Sequence, residues 1–197
     1  MRGGHHEVAR AYVLYRERRS QERAKQKQVE SKPAAAALTV IDRGQRVPLD
    51  EGRLQTLIES ACAGLGADVK ADPILAETRR NLYDGVPIDE VYKASILAAR
   101  TLIEKEPAYT RATARLLLHT IRREILGEEV MQAEVGARYA EYFPGFIAKG
   151  IKAELLDDKL AQYDLARLGA ALKAERDLMF DYLGLQTLYD RYFLHID

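Results

Sequence analysis

"VIDRGQRVPLDEGRL", Val40 to Leu54, puts two β-prone pieces, "ALTV" and "QRVPL", on either side of the polar residues "DRGQ" and then runs into an apolar-periodic segment. Glycine in a polar tract between two such pieces marks a tight hairpin. Asp50 reads as the N-cap of the helix that follows, with acidic Glu51 in its first turn, and Gly64 and Gly66 in "DEGRLQTLIESACAGLG" read as its stop. Asp72 reads as the cap of a second helix, "DPILAETRRNLYDG", with Pro73 at its first position and Gly85 at its end. In "PIDEVYKASILAARTLIEKEP" the residues Ile88, Val91, Tyr92, Ile96, Ala99, Leu102 and Ile103 form one apolar stripe, closed by Pro107. A fourth helix, "YTRATARLLLHTIRREIL", points Ala114, Leu117, Leu118, Ile121 and Ile125 inward. The expectation is a mainly α unit over residues 38–126, a four-helix bundle with a small β-hairpin cap.

On the N-terminal side, "HHEVARAYVLYRERRSQERAKQKQ" has apolar helical spacing only as far as Tyr15. Its basic run from Arg16 to Lys27 is interrupted by Glu17 and Glu22 and reads as a solvated helix end rather than a nucleic-acid contact. Pro33 and four following alanines make residues 29–37 a linker. After Gly127 the texture turns aromatic, and "AERDLMFDYLGLQTLYDRYFLHID" is apolar around more than half its circumference. Such a helix needs cover on several sides, so an exposed face at Leu183, Leu188, Tyr189, Tyr192 and Phe193 is expected.

Composition narrows the function. The chain has 197 residues, 47% of them hydrophobic, and its 30 basic residues balance 30 acidic ones. Length and apolar content suit a globular core, and no global field draws the chain to DNA or an anionic membrane. No apolar run approaches the roughly 20 residues of a membrane span, and "MRGGHHEVAR" lacks the apolar centre of a secretory signal, so a cytoplasmic location is expected. Cys62 is the single cysteine, which excludes an internal disulfide, a cysteine-rich zinc site and a dithiol redox pair. His5 and His6 lack a third metal ligand, His119 reads as a helix-packing residue, and His195 sits near the end. Tyrosines at helical spacing read as packing rather than as a radical path. Neither a metal site nor a catalytic residue is expected.

Three collinear stretches resemble one family. "EVARAYVLYRERR" resembles the closing helix of an ATP-cone, a nucleotide-binding regulatory module. The unit from "TVIDRGQRVPLDEGRL" through "LYDGVPIDEVYKASILAARTLIEKEPAYTRATARLLL" is similar to a complete second cone of the kind found in the large subunit of class I ribonucleotide reductase. "YDLARLGAALKAERDLMFDYLGLQTLYDRYFLHID" resembles the helical opening of that subunit's catalytic domain, and "RDLMFDYLGLQTLYDRYF" is its most discriminating part. The resemblance divides the chain into the last helix of a truncated first cone (1–28), the linker (29–37), a second, degenerate cone (38–126) and the helical start of the reductase domain (127–197).

In that family a full-length large subunit reduces ribonucleoside diphosphates with a thiyl radical and a cysteine pair, while ATP or dATP in a cone sets activity and subunit association. Forming a disulfide supplies the two electrons per turnover, which one cysteine cannot do, so this chain alone is expected to be inactive. The resemblance implies partners in the rest of the large subunit, its oligomer and the small radical-bearing subunit, and no DNA or membrane partner. A cone-bearing transcriptional repressor would need a zinc ribbon, which one cysteine cannot build; a stand-alone helical interaction protein is the other alternative.

The family's hairpin pattern implies Val40, Arg43, Arg53 and Arg123 as the nucleotide-binding residues of the cone. The same comparison puts Asp42 where a lysine belongs, leaves the turn one residue short, and puts Ile88 and Tyr92 where related cones carry a threonine and a histidine. Exchanging lysine for aspartate beside a phosphate swings the local interaction by up to about 8 kcal/mol before screening, taking about 4 kcal/mol per charge pair at 4 Å and an effective dielectric near 20. Weak or absent binding of ATP and dATP is therefore expected. The alternative that keeps the site has Asp42 holding a magnesium ion that bridges the phosphates.

Overall fold

The computed structural model describes residues 38–130, 132 and 134–193. The expectations for the N-terminal helix, the linker, His5, His6 and His195 fall outside them.

The hairpin forms as the sequence requires. Strands β1 (Thr39–Asp42) and β2 (Gln45–Pro48) pair antiparallel, with Asp42 opposite Gln45, so only Arg43 and Gly44 make the turn. Both have positive φ, 48° and 77°, the geometry of a two-residue turn that follows the strand twist. Glycine takes it without cost, whereas Arg43 accepts local strain. A third strand was not legible. Strand β3 (Val86–Pro87) pairs parallel to β1 and puts β1 in the middle of the sheet. Two residues carry no periodicity, and the strand is seeded by Gly85, whose φ of 80° lets its N–H reach the Thr39 carbonyl at 2.8 Å. At this sheet edge Asp84 accepts from the Thr39 hydroxyl at 2.6 Å and its N–H at 3.0 Å and pairs with Arg46, bonds that hold its carboxyl below the usual range.

Four helices stand behind the sheet: α1 (Glu51–Cys62), α2 (Ala71–Asn81), α3 (Ile88–Thr101) and α4 (Tyr109–Leu126). Asp50 caps α1 through a 2.8 Å bond from the Arg53 N–H. Helix α2 departs from the expectation: it begins at Ala71, with Asp72 and Pro73 inside its first turn, and ends at Asn81 before Gly85. At its start the Tyr109 hydroxyl accepts from the Lys70 N–H at 2.9 Å and donates to the Lys70 carbonyl at 3.0 Å, which ties the residue before the helix to α4. Helix α3 likewise ends at Thr101, well before Pro107. Ile58, Ile74, Val91 and Leu116 meet in the core, each at most 2% exposed. Ser95, Thr78 and Thr113 are buried with them, and each hydroxyl donates to the carbonyl four residues back, so no donor is stranded. Ile125 is the exception to the inward stripe of α4; it is 47% exposed.

Beyond α4 come α5 (Val135–Lys152), a 3₁₀ turn (Asp158–Gln162), α6 (Leu165–Ala170), a second 3₁₀ segment (Ala174–Met179) and α7 (Tyr182–Arg191). The expectation that the last helix lacks cover is corrected in part. Leu185 of α7 is 1% exposed within the main core, and Tyr189 packs against that core and bonds Glu124 of α4 at 2.7 Å. Leu183 and Tyr192 stay exposed at 74% and 69%. The packing explanation of the tyrosines holds for Tyr92 but not for Tyr83 or Tyr163, both mostly exposed.

Helix α5 carries Pro144 in its interior, which withdraws an N–H from the Ala140 carbonyl. Gly169 of α6 packs against that carbonyl; a Cβ there would lie 2.8 Å from the Ala140 oxygen and 3.3 Å from the Phe143 Cβ. Gly169→Ala is expected to destabilise the chain by about 1–3 kcal/mol, whereas Gly145→Ala, with open space around it in the same helix, stabilises by up to about 1 kcal/mol; urea titrations of the two variants check the contrast.

Candidate functional site

The hairpin, the start of α1 and the start of α3 enclose a pocket of ≈ 200 Å³. One wall is apolar, formed by Val40, Leu54 and Val91, and the other carries Asp42, Arg53, Tyr92 and Glu129. Ile88 also lines it. Among the residues implied by the family pattern, Val40 is 2% exposed and belongs to the apolar wall, so it contributes shape rather than charge. Arg43 points elsewhere: its Nη2 donates to the Gly127 carbonyl at 2.6 Å, at the end of α4.

Arg53 and Arg123 are both engaged by carboxylates. Arg53 pairs with Glu129. Arg123 donates to Asp42 at 2.9 Å, pairs with Asp89, lies 3.8 Å from Glu129 through Nε, and sits 5.4 Å above the Tyr92 ring. Two guanidinium groups thus face three carboxylates. The Tyr92 hydroxyl bonds Glu129, and burial together with this bond pushes its pKa far up, so it serves as a neutral donor. His119 packs edge-on against Tyr92, ring centroids 5.0 Å apart, with Nε2 buried and unpartnered among the described residues.

Asp89 and Glu129 were missed from the sequence. Asp89 looked like an ordinary acidic residue in the first turn of a helix. Glu129 lies beyond the expected end of the bundle and returns only because Gly127, at φ 72°, reverses the chain after α4. No sequence signal marks either one: Arg53 is 60% exposed and needs no counter-ion, and the burial that makes Arg123 require one arises only in the fold.

Cys62 is buried at the end of α1, and burial raises its thiol to about 11 against the opposing pull of Arg115. It is protonated and unreactive at neutral pH. Arg115 instead closes α1, donating to the carbonyls of Ala61 and Ala63 at 3.0 and 2.7 Å. No helix among the described residues is long and apolar enough to cross a membrane.

No family model matches the chain. It is 34% identical over 196 residues to "Ribonucleoside-diphosphate reductase subunit alpha" of Chlamydia trachomatis, covering 98% of this chain and 19% of that relative. The subunit of the same name in Helicobacter pylori is 30% identical over 160 residues, covering 80% and 19%. The zebrafish Danio rerio "Ribonucleoside-diphosphate reductase large subunit" is 28% identical over 148 residues, covering 74% and 18%. The chain therefore spans about a fifth of the length of these relatives.

Burial lowers the pKa of His119, opposed by Glu129 and reinforced by Arg123, Arg53 and Arg122. The unfolded chain then binds the proton more readily, so the His119 contribution to stability is full above the unfolded pKa, about 6.5, and is lost as pH falls below it. Replacing His119 with phenylalanine is expected to flatten the fall in Tm between pH 7.5 and pH 5.5 relative to the unmodified chain, as read by thermal melts; parallel curves would contradict it.

Proposed function

Because the chain belongs to the ribonucleoside-diphosphate reductase alpha-subunit family, we propose that it is the N-terminal regulatory portion of a class I large subunit, with residues 38–126 as a degenerate ATP-cone. Reduction of ribonucleoside diphosphates belongs to the catalytic body of such a subunit, not to this segment, whose one thiol is buried and protonated. The cone binds ATP and dATP weakly or not at all. Its role is that of a spacer and contact surface between an N-terminal cone and the catalytic body. The partners follow from that place: the remainder of the large subunit, its oligomer and the small radical-bearing subunit, in the cytoplasm.

One observation carries the reading of the cone. Arg53, which lines its pocket, and Arg123, which approaches the same Glu129 from behind it, are both paired with the protein's own carboxylates. A triphosphate would bring three to four further negative charges against Asp42, Asp89 and Glu129, and each unscreened like-charge contact at 4 Å costs about 4 kcal/mol at an effective dielectric near 20. The magnesium alternative is disfavoured on the same ground, since the carboxylate of Asp42 is already committed to Arg123. Conversely, the hairpin, the four helices and the cone's sequence order support the module itself. The repressor and the stand-alone interaction protein find no support among the three relatives named above, each a reductase subunit.

Isothermal titration of dATP and of ATP, each with magnesium, into the full 197-residue chain is expected to give no saturable heat up to roughly 1 mM, a binding free energy weaker than about −4 kcal/mol. Micromolar saturation by either nucleotide overturns the reading.

A further inference from the structure

We propose that Glu129 is a built-in occupant of the hairpin pocket, a carboxylate standing on Arg53 and Arg123 where an anionic ligand would sit, and that removing its charge opens the pocket to a polyphosphate anion. This rests on the reading of residues 38–126 as a cone and adds what closes it.

The segment carrying Glu129 is anchored on both sides. Gly127 before it is held through its carbonyl by Arg43, and its left-handed φ turns the chain back toward the hairpin. Val130 after it is 8% exposed and packs with Val135 and Ala174 in a second small core. Between these anchors the Glu129 side chain is 17% exposed and meets the Tyr92 hydroxyl, the Arg53 guanidinium and Arg123 Nε. Asp42 and Asp89, by contrast, have side chains 40% and 64% exposed and pair with the outer nitrogens of Arg123. A glutamate that merely solvated a loop would need neither the two anchors nor three polar partners from three different elements.

The chemistry of the partners is that of an oxyanion site. Two guanidinium groups and a neutral phenol converge on one carboxylate, and each would serve a phosphoryl oxygen equally well. The apolar wall of Val40, Leu54 and Val91 lowers the local dielectric and strengthens whichever anion is held. Neutralising Glu129 leaves both arginines with one fewer counter-ion, while Asp42 and Asp89 remain to weaken any gain. Binding by the opened pocket is therefore expected to be measurable but modest, and salt-sensitive.

The test titrates sodium tripolyphosphate, and separately ATP with magnesium, into the full chain and its variants at low salt. Glu129→Gln is compared with Glu128→Gln, the same charge change one residue away, where the carboxylate pairs with Arg138 instead. Glu129→Gln is expected to bind tripolyphosphate about tenfold or more tighter than either the unmodified chain or Glu128→Gln, and to lose that gain as salt rises. Equal behaviour of the two variants overturns the proposal. Far-UV circular dichroism reports whether Glu129→Gln stays folded. If it does not, Glu129→Ala, which also removes the charge and leaves Arg53, Arg123 and the Tyr92 hydroxyl in place, is expected to give a gain in the same direction, and no gain overturns the proposal equally. Micromolar ATP binding by the unmodified chain would overturn the reading of the cone as degenerate instead; a silent unmodified chain beside a silent Glu129→Gln overturns only the occupant.

Discussion

Two adjacent arginines near the end of α4 hold the described part of the chain together. Successive helical residues diverge by about 100°, so Arg122 and Arg123 address different neighbours from one backbone. Arg122, 7% exposed, donates to the Tyr139 hydroxyl at 3.0 Å, to Gln132 at 2.7 Å and to Asp177 at 2.9 Å, fastening α5 and the second 3₁₀ segment to the bundle. Arg123 addresses the hairpin through Asp42 and the start of α3 through Asp89. A buried guanidinium without partners would be costly, and here each has several. Helix α4 is thus the element on which the hairpin, the start of α3 and the C-terminal helical segments meet.

This arrangement gives the family resemblance a physical meaning. The core of the hairpin and four helices, around Ile58, Ile74 and Leu116, is built from the chain's own side chains and does not depend on a ligand. The charges beside it are likewise settled internally: Asp42 is a partner for Arg123 and Glu129 for Arg53, so neither arginine needs an external anion.

Much of the fold was legible because it rests on local signals. The turn at Arg43 and Gly44, the Asp50 cap and the apolar stripes of α3 and α4 all lie within a few residues of the features that specify them. Strand β3 was not, since two residues joined to β1 from 46 positions away leave no pattern. The start of α2 at Ala71 escaped because Lys70, the residue before it, is held by Tyr109, 39 positions on. The family pattern singled out Arg53, Arg123 and Asp42, but not Glu129 or Asp89, which pair with the two arginines. Arg43 was assigned to the site by its place in the turn, yet its reach to Gly127 depends on where α4 ends. Glu129 escaped for the same reason: long-range charge pairing is fixed by tertiary geometry, and a glutamate past a helix end resembles any solvated residue.

The central claim concerns which anion stands on Arg53 and Arg123. A crystal structure of the full chain grown in millimolar ATP and magnesium addresses it most directly. The account predicts the Glu129 carboxylate on both guanidinium groups, beneath an intact Arg43 to Gly127 bond, with no phosphate in the pocket. A triphosphate seated on Arg53 and Arg123, with Glu129 displaced to solvent, would contradict it.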